Sequence, residues 1–411
     1  MVAAEVFMNR IIGLAGLVLL AGLPASAQQQ SAVLTLEDAL ERARQSAPAV
    51  IAARMRIDEA RGRVVGASLP FASNPTVEVE AGRRSGETSS TDYGLEMGQD
   101  LELPQRRRAR IDAAQAGVTQ EEQRAREAEG EALREVATTF LRAVEARERA
   151  EVVGSGKRLA DEALRIAERR YAAGDVAQLD VNLARTAVAR ADAETRIANA
   201  TLTGQVTQLQ VLLGLSEPVT VSGSLRDALT LTTTDLVARA ADRPDVRVLE
   251  AEIAEGEADQ RLAHTLRWPD FGVRASYAKE EGDRIVLGGV GLTLPVFNRG
   301  QEATAVANAR LARLRAQREA LTRTIEAEVR GAVATHDALR AAASGYERTV
   351  LPLVEENEKL ALESYEVGQI GLGDLLLVRR EALDARRAFI DQLIATRLAE
   401  VELRARAGVW K

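Results

Sequence analysis

The chain contains the same long sentence twice. "YAAGDVAQLDVNLARTAVARADA" at residues 171–193 returns as "YEVGQIGLGDLLLVRREALDARR" at 365–387. Tyr171 and Tyr365 are 194 residues apart, as are Gly174 and Gly368, Asp180 and Asp374, Leu183 and Leu377, Arg185 and Arg379, and Ala191 and Ala385. The match extends outward. "PAVIAARMRIDEARGRVV" from Pro48 shares its pattern with "PDVRVLEAEIAEGEADQR" from Pro244, and "LELPQRRRARIDAAQA" around Pro104 with "LTLPVFNRGQEATAVA" around Pro295. A long internal period governs every local reading, because a unit of about 190 residues built twice must find two equivalent environments. Residues 28–222 hold the first copy and 223–411 the second, and together they are expected to form one protomer.

Each copy reads as helix, strand, strand and then long helices broken near the glycine motif. The first helix is predicted over residues 36–69, capped by Thr35, and over 235–266 in the second copy; Pro75 and Pro269 follow and disfavour helix just before them. "TVEVEAGRR" (76–84) and "DYGLEMGQDLEL" (92–103) then alternate apolar with polar or small residues across the turn-rich "SGETSST". The second copy offers "FGVRASYAK" (271–279), "EEGD" and "RIVLGGVGLTL" (284–294), so hairpins are expected within 75–103 and 270–295.

One face of the first hairpin carries Val77, Val79, Ala81, Leu95, Met97, Leu101 and Leu103; the other carries Glu78, Glu80, Glu96, Asp100 and Glu102. Strands of this length cross a bilayer when tilted. A hairpin half-buried on a soluble core would show the same alternation, but no second apolar layer remains in the chain to cover the greasy face. Four strands cannot close a barrel, and open edges are not tolerated in lipid. Other subunits are therefore required: two chains supply eight strands and three supply twelve.

The helices predicted next are long, nearly 50 residues from about Arg106 to Val153, or roughly 70 Å at the α-helical rise. Beyond the glycine motif a heptad-like seam runs through Val378, Ala382, Ala385, Phe389, Gln392, Thr396, Ala399 and Leu403, matched by Ala184, Val188, Ala191, Thr195, Ala198, Leu202, Gln205 and Leu209. Small, partly polar seam residues suit close antiparallel packing. Composition agrees: 46% apolar but 3% aromatic fits alanine-rich helices lying side by side better than a bulky globular core.

Ahead of the first copy, an apolar run from Ile11 to Leu23 ends in Ala25-Ser26-Ala27. That pattern predicts a secretory signal peptide over residues 1–27, with translation expected to begin at Met8. With no cysteine, the exported chain has no disulfide, no lipidated cysteine and no thiolate metal site. The excess of 61 acidic over 54 basic residues argues against nucleic acid.

No enzymatic constellation emerges, and no cofactor or resident metal is expected. His264 and His336 fit neither a zinc spacing nor a triad, and "VVGSGKRL" (152–159) lacks the first glycine and final hydroxyl of a phosphate loop. "QRRRAR" (105–110) admits a contact with lipid headgroups or another subunit, and equally a solvated helix start. Asp180 and Asp374 admit simple helix capping, typically about 1 kcal/mol each, and equally a ring of carboxylates about a symmetry axis.

The duplicated unit behind a signal peptide, "GVGLTLPVFNRGQEA" at the strand-to-helix junction and the paired Tyr-x-x-Gly-x5-Asp motifs resemble the TolC family of outer-membrane efflux channels. "LELPQRRRAR" is most similar to the CzcC-like heavy-metal branch, where a glycine commonly follows the proline; Gln105 departs from that. The resemblance implies a homotrimer with a twelve-strand β-barrel in the outer membrane and a long α-helical barrel across the periplasm of a Gram-negative bacterium. It implies a periplasmic adaptor (membrane fusion protein) and an inner-membrane pump, often of the resistance-nodulation-division class, as partners, with the channel itself passive and contacting outer-membrane lipid. The cargo would be metal cations or small toxic compounds.

In that picture Gly174, Gly368, Gly371 and Gly373 mark the periplasmic hairpin turns where the adaptor docks. Asp374 aligns with a constriction aspartate and Tyr365 with a tyrosine that helps hold that end shut; Asp180 and Tyr171 are their copies. Glu78, Glu80, Glu96 and Asp100 would line the barrel lumen. Leu377 and Ile370 stand where the family's second aspartate and an arginine are found, so the resemblance carries neither a double acidic ring nor an arginine lock to this chain. A periplasmic adaptor or other coiled-coil interaction protein is the rival reading, and an adaptor would flank a single helical hairpin with one split β domain rather than repeat its whole unit.

Overall fold

A computed structural model describes residues 32–85, 89–227 and 236–410, so the expected signal peptide lies outside the described residues. A short strand β1 (Ala32–Leu34) leads to α1 (Leu36–Ser46) and α2 (Pro48–Ser68). Thr35 caps α1 as expected: its Oγ1 accepts from the Asp38 amide at 3.2 Å while Asp38 Oδ2 accepts from the Thr35 amide at 3.2 Å. The single helix predicted over 36–69 is in fact two, because Ala47 precedes Pro48 and is held extended at ψ 130°.

A hairpin follows, β2 (Thr76–Arg84) and β3 (Ser90–Leu101), then α3 (Pro104–Ala172) and α4 (Gln178–Leu213). Strand β4 (Val219–Val221) pairs in parallel with β1. The second copy repeats the order: α5 (Leu236–Ala240), α6 (Pro244–Thr265), β5 (Asp270–Glu280), β6 (Asp283–Thr293), α7 (Gln301–Glu366) and α8 (Leu372–Ala407). Here too a proline splits the expected first helix, with Arg243 extended at ψ 147° before Pro244.

The long helices exceed expectation. α3 has 69 residues and passes through Gly154 and Gly156 unbroken; α7 has 66 and tolerates Pro352, at the loss of one intrahelical hydrogen bond. At 1.5 Å per residue each is about 100 Å long. α4 packs along the far half of α3 and α8 along that of α7, while α2 and α6 cover the near half of α3. No seam residue on α4 or α8 is exposed. The main core sits at the waist, where Leu133, Val136, Phe140 and Val144 of α3 meet Leu209 and Leu213 of α4 and Phe389 and Ile390 of α8.

The hairpins join into one antiparallel sheet ordered β2-β3-β5-β6. Its register aligns Val77, Val79 and Ala81 with Met97, Leu95 and Tyr93. Leu95, Met97 and Leu101 in turn face Tyr277, Ala275 and Phe271, and Tyr277, Val273 and Phe271 face Val286, Val290 and Leu292. One face is therefore apolar across all four strands. β3 ends at Leu101, two residues earlier than predicted: Leu103 precedes α3 as its N-cap residue, and Glu102 leaves the sheet to bind Arg110 at 2.6 Å.

Candidate functional site

Three places carry the sequence-predicted residues: the helical turns at one end, the sheet at the other, and the junction between sheet and helices. At the turns the two copies fold alike. Gly174 donates to the Tyr171 carbonyl at 3.0 Å and Asp175 to that of Arg170 at 2.9 Å; Gly368 donates to Tyr365 at 3.1 Å and Gln369 to Ser364 at 2.8 Å. These are Schellman motifs, and they require the left-handed φ of 84° at Gly174 and 79° at Gly368. Gly371 and Gly373 do not share that role. Gly371 is the extended N-cap of α8, and Gly373 lies inside its first turn.

Nor are the aspartates N-caps. Asp180 and Asp374 both sit in the first turn, where a carboxylate meets the positive end of the helix dipole. Asp374 Oδ2 also accepts from the Gly371 amide at 3.2 Å, and the side chain stays exposed.

The tyrosines diverge. Tyr171 is 46% exposed, whereas Tyr365 is 1% exposed among Ala163, Ala167, Leu372 and Leu375, with its hydroxyl lacking a hydrogen-bond partner. Arg170 makes the difference: its guanidinium lies 5.1 Å above the Tyr365 ring and its Nη1 donates to the Tyr365 carbonyl at 3.1 Å. Position 370 lacks the arginine, and α3 supplies one from the other copy. The only sequence signal was the pair Arg169-Arg170 standing where the second copy has Glu363-Ser364. Nearby, Arg379 donates to the Leu159 carbonyl at 2.6 Å, and burial pulls its guanidinium below the ordinary arginine range.

On the sheet, Glu78 and Glu96 stand opposite one another, on the face shared with Glu80 and Asp100. The apolar face ends in aromatic residues at both borders, Tyr93 and Tyr277 toward the hairpin turns and Phe271 toward the helices, with Trp268 and Phe297 exposed just beyond.

The junction shows what "QRRRAR" does. Arg106 binds Asp270 and donates to the carbonyls of Thr265 at 3.0 Å and Trp268 at 3.1 Å. Arg107 donates to Ser68 at 2.7 Å, and Arg110 to Gly66 at 3.3 Å. Arg106, Arg107 and Arg110 thus satisfy the open carbonyls at the C-terminal ends of α2 and α6, while Gln105 and Arg108 stay exposed. The second copy solves the corner with backbone: Gly300 is left-handed at φ 74°, and a Cβ there would lie 2.7 Å from Leu266 Cβ.

His336 is buried between α7 and α8, 3.4 Å from Glu400 and 3.0 Å from Asp337, and His264 sits beside Arg267 at 2.9 Å. Among the described residues no group of three or more potential ligands could hold a metal ion. None of the described helices is long and apolar enough to cross a membrane.

A family model described as "Outer membrane efflux protein" matches residues 39–215 and 237–409. The cobalt-zinc-cadmium resistance protein CzcC of Cupriavidus metallidurans is 27% identical over 381 residues, covering 90% of this chain and 89% of that protein. The CmeC outer membrane channel of Campylobacter jejuni superposes with a TM-score of 0.75 at 16% identity, over 97% of this chain and 94% of its own. A membrane protein from Pseudomonas aeruginosa gives 0.72 at 23% identity, over 91% and 90%. These structural likenesses establish the fold.

Proposed function

The chain belongs to the outer membrane efflux protein family, and on that premise we propose that it is the passive outer-membrane duct of a tripartite efflux pump, working as a homotrimer rather than as an enzyme. One observation carries the reading: a four-stranded sheet, apolar on one face and acidic on the other, ends in two unpaired edges, β2 and β6, at the head of helices about 100 Å long. Joining β6 of one protomer to β2 of the next repeats the β3–β5 contact already present within the chain. Three protomers then give twelve strands, with the apolar face in lipid, its aromatic borders at the two interfaces, and Glu78, Glu80, Glu96 and Asp100 in the lumen.

The duplication supports the same closure in the helices. α3 packs against α8 within the chain, so α7 should pack against α4 of a neighbour. Tyr171 stands exposed where its copy Tyr365 is covered by α3; the equivalent cover is α7 of the next protomer. The two repeats thus form one protomer of a ring with six similar sectors.

The helical turns form the periplasmic end. There Gly174, Gly368, Gly371 and Gly373 shape the surface for a periplasmic adaptor, with an inner-membrane pump of the resistance-nodulation-division class beneath it. Asp374 and Asp180 place carboxylates at the mouth, and Tyr365 and Tyr171 brace it. The similarity to the cobalt-zinc-cadmium resistance protein favours divalent metal cations as cargo, with small toxic compounds as the alternative. The test is direct. Purified from outer membranes, the protein runs as a heat-resistant trimer and gives single-channel steps in planar bilayers; a soluble monomer without conductance contradicts the reading.

The arginine supplied by α3 makes a second expectation. A cation–π contact contributes about 1 kcal/mol, so Arg170→Ala should shift the balance between closed and open tips roughly five- to tenfold. Longer open times in single-channel records would show it, with Arg169→Ala, whose side chain is exposed, as the control. Equal open times in both variants would remove Arg170 from the closing contact.

A further inference from the structure

The polar face of the sheet is not uniformly acidic. Register places Glu78, Glu80, Asp92, Glu96, Asp100, Glu280 and Asp283 on it, together with two arginines, Arg84 and Arg274. Arg84 is committed at the hairpin turns, where it binds Asp92 at 2.7 Å, Glu281 at 2.8 Å and Glu280 at 3.3 Å. Arg274 is different. It lies on β5 between Gly98 of β3 and Gly289 of β6, and its single ion pair on the face is a loose one with Glu96 at 3.8 Å.

Around it glycines leave the wall thinly covered, with Ser276, Leu287 and Asp100 among the neighbouring side chains on the face. Gly82, Gly94, Gly98, Gly272, Gly289 and Gly291 all fall on the polar face, whereas Gly288 alone falls on the apolar one. Glycine weakens a strand and marks a place where another group comes close. At Gly98 that group is first Thr76, whose Oγ1 would lie 2.9 Å from a Cβ there, and then Arg274, whose Cγ would lie 3.8 Å away; a Cβ at Gly291 would lie 4.0 Å from the Arg274 Nε, while nothing stands over Gly289. The stem therefore lies down across bare backbone, with room for the guanidinium to move.

Stability does not account for this arrangement. Both partners are largely exposed, 68% for Arg274 and 43% for Glu96, and such pairs contribute about 0–1 kcal/mol. Placing a cation there does change the potential. A twelve-strand barrel has a radius of roughly 12 Å from the strand spacing and tilt, so three guanidinium groups lying against the wall stand on the order of 15 Å apart, about two Debye lengths at physiological salt, and each acts chiefly on the carboxylates of its own stretch of wall. The guanidinium groups face a lumen otherwise dominated by carboxylates.

We infer that Arg274 is the residue that limits cation selectivity in the barrel: it offsets Glu96 in an acidic lumen, and the glycine floor lets it lie against the wall without narrowing the bore. The inference rests on the duct reading above, which puts this face in the lumen.

Reversal potentials of purified protein in planar bilayers under a KCl gradient test it. Arg274→Gln should raise the potassium-over-chloride permeability ratio roughly twofold or more, with a larger change at ~0.1 M than at ~1 M salt because of screening. Arg274→Lys should keep the wild-type ratio. If pores form and the ratio is the same in Arg274→Gln as in wild type, the inference fails while the duct stands. If the wild-type protein forms no pores, the duct reading fails and takes the inference with it.

Discussion

Replacing Gly300 by valine should be the most damaging change at any of the turns among the described residues, lowering stability by roughly 2–6 kcal/mol. Two costs combine. The φ of 74° places a β-branched residue in the left-handed region, at about 1–3 kcal/mol. The new Cβ would also stand 2.7 Å from Leu266 Cβ and 3.1 Å from the Ala263 carbonyl, so the C-terminal end of α6 must move, at a further 1–3 kcal/mol or so. Gly174 provides the comparison, because its φ of 84° carries the same backbone strain but nothing lies within 4 Å. Gly174→Val should therefore cost about 1–3 kcal/mol. Denaturant midpoints of the detergent-solubilised protein separate the two; equal midpoints would mean that the α6–α7 corner is soft and that close packing does not hold the sheet to the helices.

That corner also shows where the sequence was legible and where it was not. Strand positions came out within two residues, because a period of two bounded by turn residues is a local signal. So is the Schellman glycine, and both copies confirmed it at the same offset. The breaks at Pro48 and Pro244 are equally local signals, but both prolines lie within otherwise helical runs, so the helical period alone predicts one helix where the structure has two.

What could not be read locally is any contact whose partner lies in another part of the chain. Arg106 reaches carbonyls about 160 residues away, and Arg170 meets a tyrosine almost one repeat away. From sequence, "QRRRAR" is merely basic; its meaning comes from the two helix ends that the fold delivers to it. Nothing in the structure explains the departure at Gln105, but the missing glycine later in the corner has a reason. α3 begins directly at Pro104, with Ala109 already inside the helix where the second copy has Gly300, so the first copy needs no left-handed residue at this corner.

The connection between the repeats supplies the other large effect. Residues 221–227 are pinned at the waist: Arg147 donates to the Val221 carbonyl at 2.9 Å, Glu148 accepts from the Ser224 hydroxyl at 3.0 Å and the Leu225 amide at 2.9 Å, and Leu225 is fully buried. From α8, Arg397 Nε donates to the Leu225 carbonyl at 2.8 Å while its Nη1 binds Glu400; Arg397 is 8% exposed and Glu400 4%. Arg397→Met keeps most of the volume but takes a cation from a buried carboxylate and a donor from a buried carbonyl. Removing one partner of an isolated buried pair costs about 3–5 kcal/mol, and the loss here should fall toward the lower end because His336 at 3.4 Å and Arg404 still face Glu400. Replacing both, as Arg397→Met with Glu400→Leu, removes the carboxylate charge with the cation but also takes a partner from Arg404 and from His336, so it should recover only a small part of that loss. The connection should also loosen, and Arg226, which now stacks over Phe389 at 5.2 Å and pairs with Glu347 at 3.3 Å, becomes the place to see it. Trypsin should cut after Arg226 faster in Arg397→Met than in wild type, releasing two fragments of nearly equal size, one per repeat. Unchanged cleavage together with an unchanged denaturant midpoint would mean that the waist core alone holds the two repeats in register.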